Sequence, residues 1–183
     1  MKTEVPAFIR VSFAQNQSSY VYCDGKLPAT VSYTYQSVGD DASEKILRIY
    51  NAAPIVLLEG FSGKDLTKAK LSTASSLRSI DLSNNPALNE LELSGCRNLE
   101  ELNLSGCNLS TGFGVDISNC VFLRKFLAHN STVRTGDFTH NPYLADIDVR
   151  ECPNVSTLNL EGLKRVQSIQ FTPENIEQLN ISN

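Results

Sequence analysis

The chain has 183 residues, of which 41% are hydrophobic, and its formal net charge at pH 7 is −4. This size fits one domain, or a domain with a small appendage, that is long enough to bury a real core. The mild negative charge argues against a nucleic-acid or membrane-surface partner, and no apolar run approaches the roughly 20 residues that span a bilayer.

The chain begins with MKTEVPAFIR, which lacks the apolar central region of a signal peptide. Two interpretations remain open: the protein is cytoplasmic, or an export leader is absent from this chain. Met1 stands directly before a predicted strand, which favours the second interpretation. We therefore expect the protein outside the cell or at the cell surface.

Residues 5–36 alternate between apolar and polar side chains in the manner of β-strands. Asp24-Gly25 and Pro28 interrupt the stretch SSYVYCDGKLPATVSYTY, which predicts a hairpin there. Four tyrosines would share one face of this hairpin: Tyr20, Tyr22, Tyr33 and Tyr35. They form either an aromatic platform for a glycan or a set of rings that pack on the neighbouring structure and favour strands.

From about residue 44 onward, one phrase recurs at intervals of about eleven residues, most clearly as LRSIDLSNN, LNELELSGC and LEELNLSGC. Counted from its first Leu, the phrase has apolar residues at positions 1, 4 and 6, and Asn or Cys at position 9. Copies start at Leu77, Leu88, Leu99, Gly112, Leu123, Val133, Leu144, Val155, Val166 and Ile176, with earlier ones at Glu44, Ile55 and Leu66.

Positions 4, 5 and 6 alternate as in a strand and not as in a helix. Six extended residues cover roughly 20 Å, so each phrase forms one side of a flattened coil and two phrases of 21–23 residues in all close one turn. A fixed short period predicts a solenoid, here with strands on both sides and little helix. Each inward apolar side chain would contribute about 1.5–3 kcal/mol by burial.

This pattern predicts two parts, a small N-terminal β-hairpin cap of residues 1–43 and a solenoid of about six coils over residues 44–183. A cap is expected because an open solenoid end exposes strand edges. The last copy of the phrase, IEQLNISN, has no visible cap. Either an end-to-end or edge-paired homodimer or a continuing chain would cover it.

The phrase LxxLxLxxN/C resembles that of leucine-rich repeat proteins, specifically the bacterial kind with short repeats, over about residues 55–183. The resemblance implies a β-rich, flattened right-handed coil and an extracellular or surface-anchored binding protein. Gly60, Gly136 and Leu163 depart from the phrase, as does an insertion around Leu109–Gly114. We expect the stack to bulge at these coils.

Position 9 is expected to point inward, because the turns leave backbone groups that water cannot reach. An Asn side chain satisfies donors and acceptors, and a Cys thiol is small and tolerates burial. These residues are therefore predicted to form structural ladders, without a disulfide or metal role: Asn85, Cys96, Cys107, Cys120, Asn141 and Cys152.

Outward residues at positions 3, 5 and 7 fall on two faces, because alternate phrases share a side. The candidate binding face consists of Ser79, Asp81, Glu101, Asn103, Lys125, Leu127, His129, Asp146, Asp148 and Arg150, continued by Ser168 and Gln170. It carries both charge signs around an exposed Leu127 and His129, which is typical of a protein interface. The other face is acidic or neutral: Glu90, Glu92, Asp116, Asp137, Thr157, Asn159, Glu161, Gln178 and Asn180.

The sequence predicts no enzyme, cofactor or metal. His129 and His140 lie in successive phrases that should face opposite sides, and no Gly-x-Ser-x-Gly or His-Glu-x-x-His motif is present. Asn-x-Ser/Thr triplets, as at Asn103, Asn108, Asn130 and Asn154, are attributed to the composition of the repeat. We expect a non-catalytic protein-recognition or adhesion module, the alternatives being glycan binding at the Tyr cluster and a structural spacer within a larger surface protein.

Overall fold

The computed structural model describes residues 66–182, apart from 72–73, 76 and 110–113, and the backbone of five earlier strands. The earlier strands are β1 (Phe8–Phe13), β2 (Ser18–Tyr22), β3 (Tyr33–Ser37), β4 (Lys45–Ile49) and β5 (Ile55–Glu59). They are followed by β6 (Lys68–Lys70), β7 (Ser79–Asp81), β8 (Glu90–Glu92), β9 (Glu101–Asn103), β10 (Lys125–Leu127), β11 (Asp146–Val149), β12 (Thr157–Asn159), β13 (Ser168–Phe171), a 3-10 turn (Pro173–Asn175) and β14 (Gln178–Asn180).

The strands wind into a β-solenoid, as the repeat predicts, with about five turns where about six coils were expected. One wall is an eight-stranded sheet of order β13-β11-β10-β9-β7-β5-β1-β2, in which the strands from β5 to β13 pair in parallel. The opposite wall contains a four-stranded sheet, β3-β4-β6-β8, and a two-stranded sheet, β12-β14. Among the described residues, no helix is long and apolar enough to cross a membrane.

The core follows the phrase position by position. From Leu66 to Leu160, side chains at positions 1, 4 and 6 are almost all buried, including Leu77, Ile80 and Leu82 in one copy and Leu99, Leu102 and Leu104 in another. In the last two copies they are half-buried, as at Val166, or exposed, as at Leu179 and Ile181. Position 9 is buried as well, from Ala74 to Leu163. Because each copy adds the same inward column, the interior is one continuous hydrophobic cluster along the rod.

The N-terminal strands pair differently from the predicted hairpin. β2 pairs antiparallel with β1 and lies at the edge of the eight-stranded sheet, whereas β3 pairs antiparallel with β4 in the four-stranded sheet. β2 and β3, which flank the Asp24-Gly25 turn signal, therefore belong to different sheets. β4 also pairs in parallel with β6, so the change to parallel pairing falls near the predicted boundary at residue 44.

One departure from the phrase, Gly136, has a physical explanation in the core. A Cβ atom at Gly136 would overlap the carbonyl oxygen of Thr157, so only glycine permits this approach of neighbouring coils. Phe126 and Phe138, the largest fully buried side chains, meet edge to face with ring centroids 5.4 Å apart and fill the core nearby. Leu163 still points inward in place of Asn or Cys, and Gly60 lies outside the described residues.

Candidate functional site

The eight-stranded sheet places the predicted binding face as the phrase requires. Parallel register sets Lys125 of β10 between Glu101 of β9 and Asp146 of β11, and sets Leu127 between Asn103 and Asp148. All ten predicted residues lie on β7, β9, β10 and β11 or within two residues of their ends. We call the central part, Lys125, Leu127 and His129 with their flanking partners on β9 and β11, the β10 surface.

Position 5 has a structural role that the sequence interpretation missed. On this wall, the side-chain oxygens of Asp81, Asn103 and Asp148 accept hydrogen bonds from backbone N–H groups two residues later, at 2.8, 3.1 and 3.1 Å. Such Asx contacts satisfy a donor where the strand gives way to the turn. The same contact recurs on the other wall at Asp116, Asp137, Asn159 and Asn180.

These contacts give the aspartates of the acidic wall a structural role, so no ligand is needed to account for them. Hydrogen bonds from Ser118 lower the pKa of Asp116, and those from Thr139 lower the pKa of Asp137. The wall is also less acidic than its sequence suggested, because Lys68 and Lys70 lie 3.5 and 2.9 Å from Glu90. The recurring Asp/Asn-x-Ser/Thr spacing was the available signal, and it had been attributed to composition.

The β10 strand departs from this arrangement. Its position-5 residue is Leu127, which offers no acceptor to the following turn, whereas β7, β9 and β11 have Asp, Asn and Asp there. Two residues on, Nδ1 of His129 is buried and has no hydrogen-bond partner among the residues that the structure describes. Leu127 and His129 are both half-buried rather than exposed as expected. At the centre of the face, the residue types therefore depart from what the turn geometry favours.

The charges around this centre are partly neutralised within the chain. Arg150 makes a two-pronged contact with Asp148, with Nε 3.0 Å from Oδ1 and Nη2 2.7 Å from Oδ2. Burial raises the pKa of Asp148, but the side-chain and backbone hydrogen bonds from Arg150 outweigh that effect and the pKa is lowered overall. Lys125 forms no ion pair within the described part of the chain, so it carries the free positive charge of the surface.

The position-9 ladder is confirmed. The thiols of Cys96, Cys107 and Cys152 donate to the carbonyl oxygens of Leu71, Leu82 and Ala128, position 6 of the preceding coil, at 3.3, 3.1 and 2.8 Å. Asn141 donates in the same way to Ile117 at 3.0 Å and also to Cys120 at 2.9 Å. All four cysteines within residues 66–182 are free and buried.

Burial makes these thiols poor nucleophiles. It raises the pKa of Cys96 and Cys120 to about 12 and that of Cys107 to about 11. Because the thiolate is the reactive and metal-binding form, the ladder residues are structural. No cluster of three or more His, Cys, Asp and Glu residues suitable for a metal occurs among the residues that the structure describes.

The four tyrosines of the glycan hypothesis lie on two walls. Tyr20 and Tyr22 belong to β2, at the edge of the eight-stranded sheet, and Tyr33 and Tyr35 belong to β3, at the edge of the four-stranded sheet. Their side chains lie outside the described residues, so an aromatic patch there stays a prediction.

A second surface feature, also missed from the sequence, lies along one edge of the solenoid. It is a groove of about 450 Å³ in which Arg124, Lys164 and Arg165 surround Tyr143 and Ala145. Its members come from three successive coils at phrase positions 2, 10 and 11, where the repeat sets no pattern. We call it the edge groove.

Comparison with protein-family models, with curated proteins and with solved structures finds no match for this chain. The stacked coils are compatible with a repeat protein. The resemblance to leucine-rich repeat proteins is therefore a prediction that depends on the phrase and on the solenoid fold.

Proposed function

We propose that the chain is a non-catalytic recognition module of the leucine-rich repeat type, which binds another protein outside the cell or at its surface through the β10 surface. The observation that carries the proposal is the substitution of Leu127 for the Asx acceptor found at position 5 of β7, β9 and β11. Residues that break a local structural rule without a compensating contact tend to lie at functional sites.

The surroundings of Leu127 support the same proposal. A half-buried apolar side chain lies within charged residues of both signs, including Lys125, Glu101 and Asp146. Protein interfaces commonly have an apolar centre and a polar rim. The parallel strands hold these side chains in register, so a partner would meet a largely preformed surface with little ordering cost.

Panning a displayed random-peptide library on the immobilised chain would test the proposal. Enriched peptides are then titrated against the wild-type chain, Leu127→Asn and Asn159→Asp. The last variant is the matched control, because position 159 is the same phrase position on the other wall and Asp keeps the acceptor. We expect Leu127→Asn to weaken binding by about tenfold, as the loss of a buried Leu contact predicts, and the control to leave it unchanged.

Enriched peptides whose affinity is insensitive to Leu127→Asn would contradict the assignment to the β10 surface. If those peptides instead lose affinity with Arg165→Gln, the binding belongs to the edge groove, and the two surfaces are distinguished by the same titration.

A further inference from the structure

The edge groove arises from a short side chain in a column of long ones. Position 2 of successive coils on the eight-stranded wall is occupied by Arg124, Ala145 and Gln167. The backbone N–H of Ala145 donates to the carbonyl of Arg124 at 2.9 Å, and that of Gln167 donates to the carbonyl of Ala145 at 2.8 Å, so the three residues are direct neighbours. The methyl group of Ala145 leaves a hollow between two long side chains.

The hollow is surrounded by positive charge. Arg124, Lys164 and Arg165 line it, and none of the described carboxylates does. Lys164 and Arg165 form no ion pair with any described residue, and Arg124 reaches only Glu100, at 3.6 Å. Glu100 already binds Arg78 at 2.7 Å. Three cations with one shared carboxylate leave a net positive groove on a chain whose overall charge is −4, and such a groove attracts anions.

The aromatic side chains at this edge hold one of the cations in place. The guanidinium of Arg165 lies 4.7 Å from the centroid of the Tyr143 ring, a cation–π contact. Phe122 packs on the same ring, with the centroids 5.5 Å apart. A guanidinium that stacks on a ring keeps its N–H edge free to bind a carboxylate. Because the ring already restrains the Arg165 side chain, less conformational entropy is lost when the carboxylate binds.

An apolar shelf adjoins the groove. Val121 and Phe122 are 39% and 44% exposed, although most large apolar side chains of the described solenoid are buried. The opposite edge of the solenoid differs in its residues. There, polar side chains form hydrogen bonds from one coil to the next. Thr132 Oγ1 lies 2.9 Å from Asn108 Oδ1, and Asn154 Nδ2 lies 2.9 Å from the Thr132 carbonyl oxygen. The repeat therefore does not require a basic, aromatic edge.

We propose that the edge groove binds an acidic peptide segment of a protein partner. Carboxylates of the peptide pair with Arg124, Lys164 and Arg165, and an apolar side chain of the peptide covers Val121 and Phe122. A peptide fits better than an acidic glycan for two reasons. The exposed Val121 and Phe122 suit an apolar side chain, which an acidic glycan lacks, and the Tyr143 ring inside the groove is already covered by Arg165. The groove is separate from the β10 surface, so this inference does not depend on the function proposed above.

The test uses the full chain and a fluorescein-labelled heptapeptide of composition Glu-Glu-Leu-Phe-Glu-Asp-Glu, followed by fluorescence anisotropy. We expect saturable binding that weakens as salt is raised. Arg165→Gln removes a charged partner, and Ala145→Gln fills the hollow with the residue type that already occupies position 167. Arg165→Gln should weaken binding by about tenfold or more, as the loss of a charge-assisted hydrogen bond predicts. Ala145→Gln should weaken binding to a similar extent, because its side chain occupies the space that the peptide would fill. The matched control Arg134→Gln removes an exposed Arg outside the groove and should change affinity by less than about twofold.

Two comparisons identify the occupant. A peptide with Gln in place of every acid should bind at least about tenfold more weakly, and an oligouronate of similar length should bind more weakly than the acidic peptide. Unchanged affinity in both Arg165→Gln and Ala145→Gln, or equal binding of the Gln peptide, would overturn the proposal. Tighter binding of the oligouronate would overturn the peptide assignment in favour of an acidic glycan. The thermal midpoint of each variant checks that the fold is retained.

Discussion

The coils from residue 77 to 107 and those from 115 to 150 obey the repeat to different degrees. In the first group, positions 1, 4, 6 and 9 carry the expected residues, and the position-5 side chains Asp81 and Asn103 accept hydrogen bonds from their turns. The second group contains Gly136 in the core, Leu127 at position 5, and Phe122 and Tyr143 on the edge.

The departures in the second group are of two kinds. Inside the core, the Thr157 backbone of the neighbouring coil lies so close to Gly136 that a larger residue would not fit there. On the surface, Leu127 replaces the Asx acceptor and offers no acceptor to its turn, and Phe122 stays 44% exposed although its ring contacts Tyr143. An irregular repeat therefore contains both departures that the core packing requires and surface positions that it leaves free, and only the surface positions are candidates for recognition.

The largest effect is expected from alkaline pH, which tests whether the ladder thiols of both groups are buried and protonated in the folded chain. Cys96 and Cys107 belong to the regular coils and Cys120 to the irregular ones, and burial raises their pKa values from 9.0 to about 12, 11 and 12. The unfolded chain would lose these protons first, so stability should be constant below pH 9 and fall as the pH rises from 9 towards 12.

Denaturant unfolding at a series of pH values measures this loss. The matched control replaces the three cysteines by Ser, which Ser131 shows is tolerated at position 9. In this variant, the free energy of unfolding should fall less steeply as the pH rises from 9 towards 12. A decline of equal steepness in the Ser variant would show that other groups cause it.

The next largest effect concerns the compensated departure. Gly136→Ala would place a Cβ atom against the Thr157 carbonyl oxygen, and it should destabilise the protein by about 3 kcal/mol. At Gly162, φ is +75° and the space around a Cβ is open, so Gly162→Ala should cost only about 1–2 kcal/mol. Equilibrium denaturation compares the two, and equal losses would mean that the coils shift apart easily at Gly136.

Asn141→Ala should cost about 2 kcal/mol, because it leaves the carbonyls of Ile117 and Cys120 without the hydrogen bonds that Asn141 Nδ2 donates at 3.0 and 2.9 Å. The matched variant Cys152→Ala removes a weaker thiol donor and should cost about half as much. Similar losses for the two variants would show that the Asn141 amide stabilises the irregular coils no more than the Cys152 thiol does.

The sequence alone predicts the solenoid, the buried positions and the ladder, because those features repeat and each copy reinforces the pattern. It also groups the residues of the β10 surface correctly, since strand alternation decides which side chains share a face. The pairing of β2 with β1 and of β3 with β4 was not foreseen, because a turn signal such as Asp24-Gly25 does not specify which strands pair over a longer range.

The edge groove could not be predicted for a related reason. Its members Arg124, Tyr143 and Arg165 lie about one coil apart at positions where the phrase sets no residue type, and only the stacking of coils brings them together. The Asx contacts did leave a signal, the recurring Asp/Asn-x-Ser/Thr spacing. In a repeat rich in Asn and Ser, that spacing was indistinguishable from composition.

A smaller effect is expected when Leu, the position-5 residue of β10, is placed at the same position of β9, which belongs to the regular coils. Asn103→Leu removes the acceptor that lies 3.1 Å from the Ser105 N–H, and it should cost about 1 kcal/mol in the free energy of unfolding. A variant as stable as the wild type would show that the Asx contact contributes little, and the distinction between the two groups of coils would weaken.

We infer that Leu127 departs from the repeat for recognition and not for folding, and the reciprocal change Leu127→Asn distinguishes the two explanations. This change restores the residue type of Asn103 and supplies an acceptor to the turn, which should offset the loss of a half-buried apolar side chain. Urea unfolding should give a free energy within about 0.5 kcal/mol of the wild-type value. A loss of more than about 1.5 kcal/mol would show that Leu127 is a core residue of the solenoid and would contradict the account.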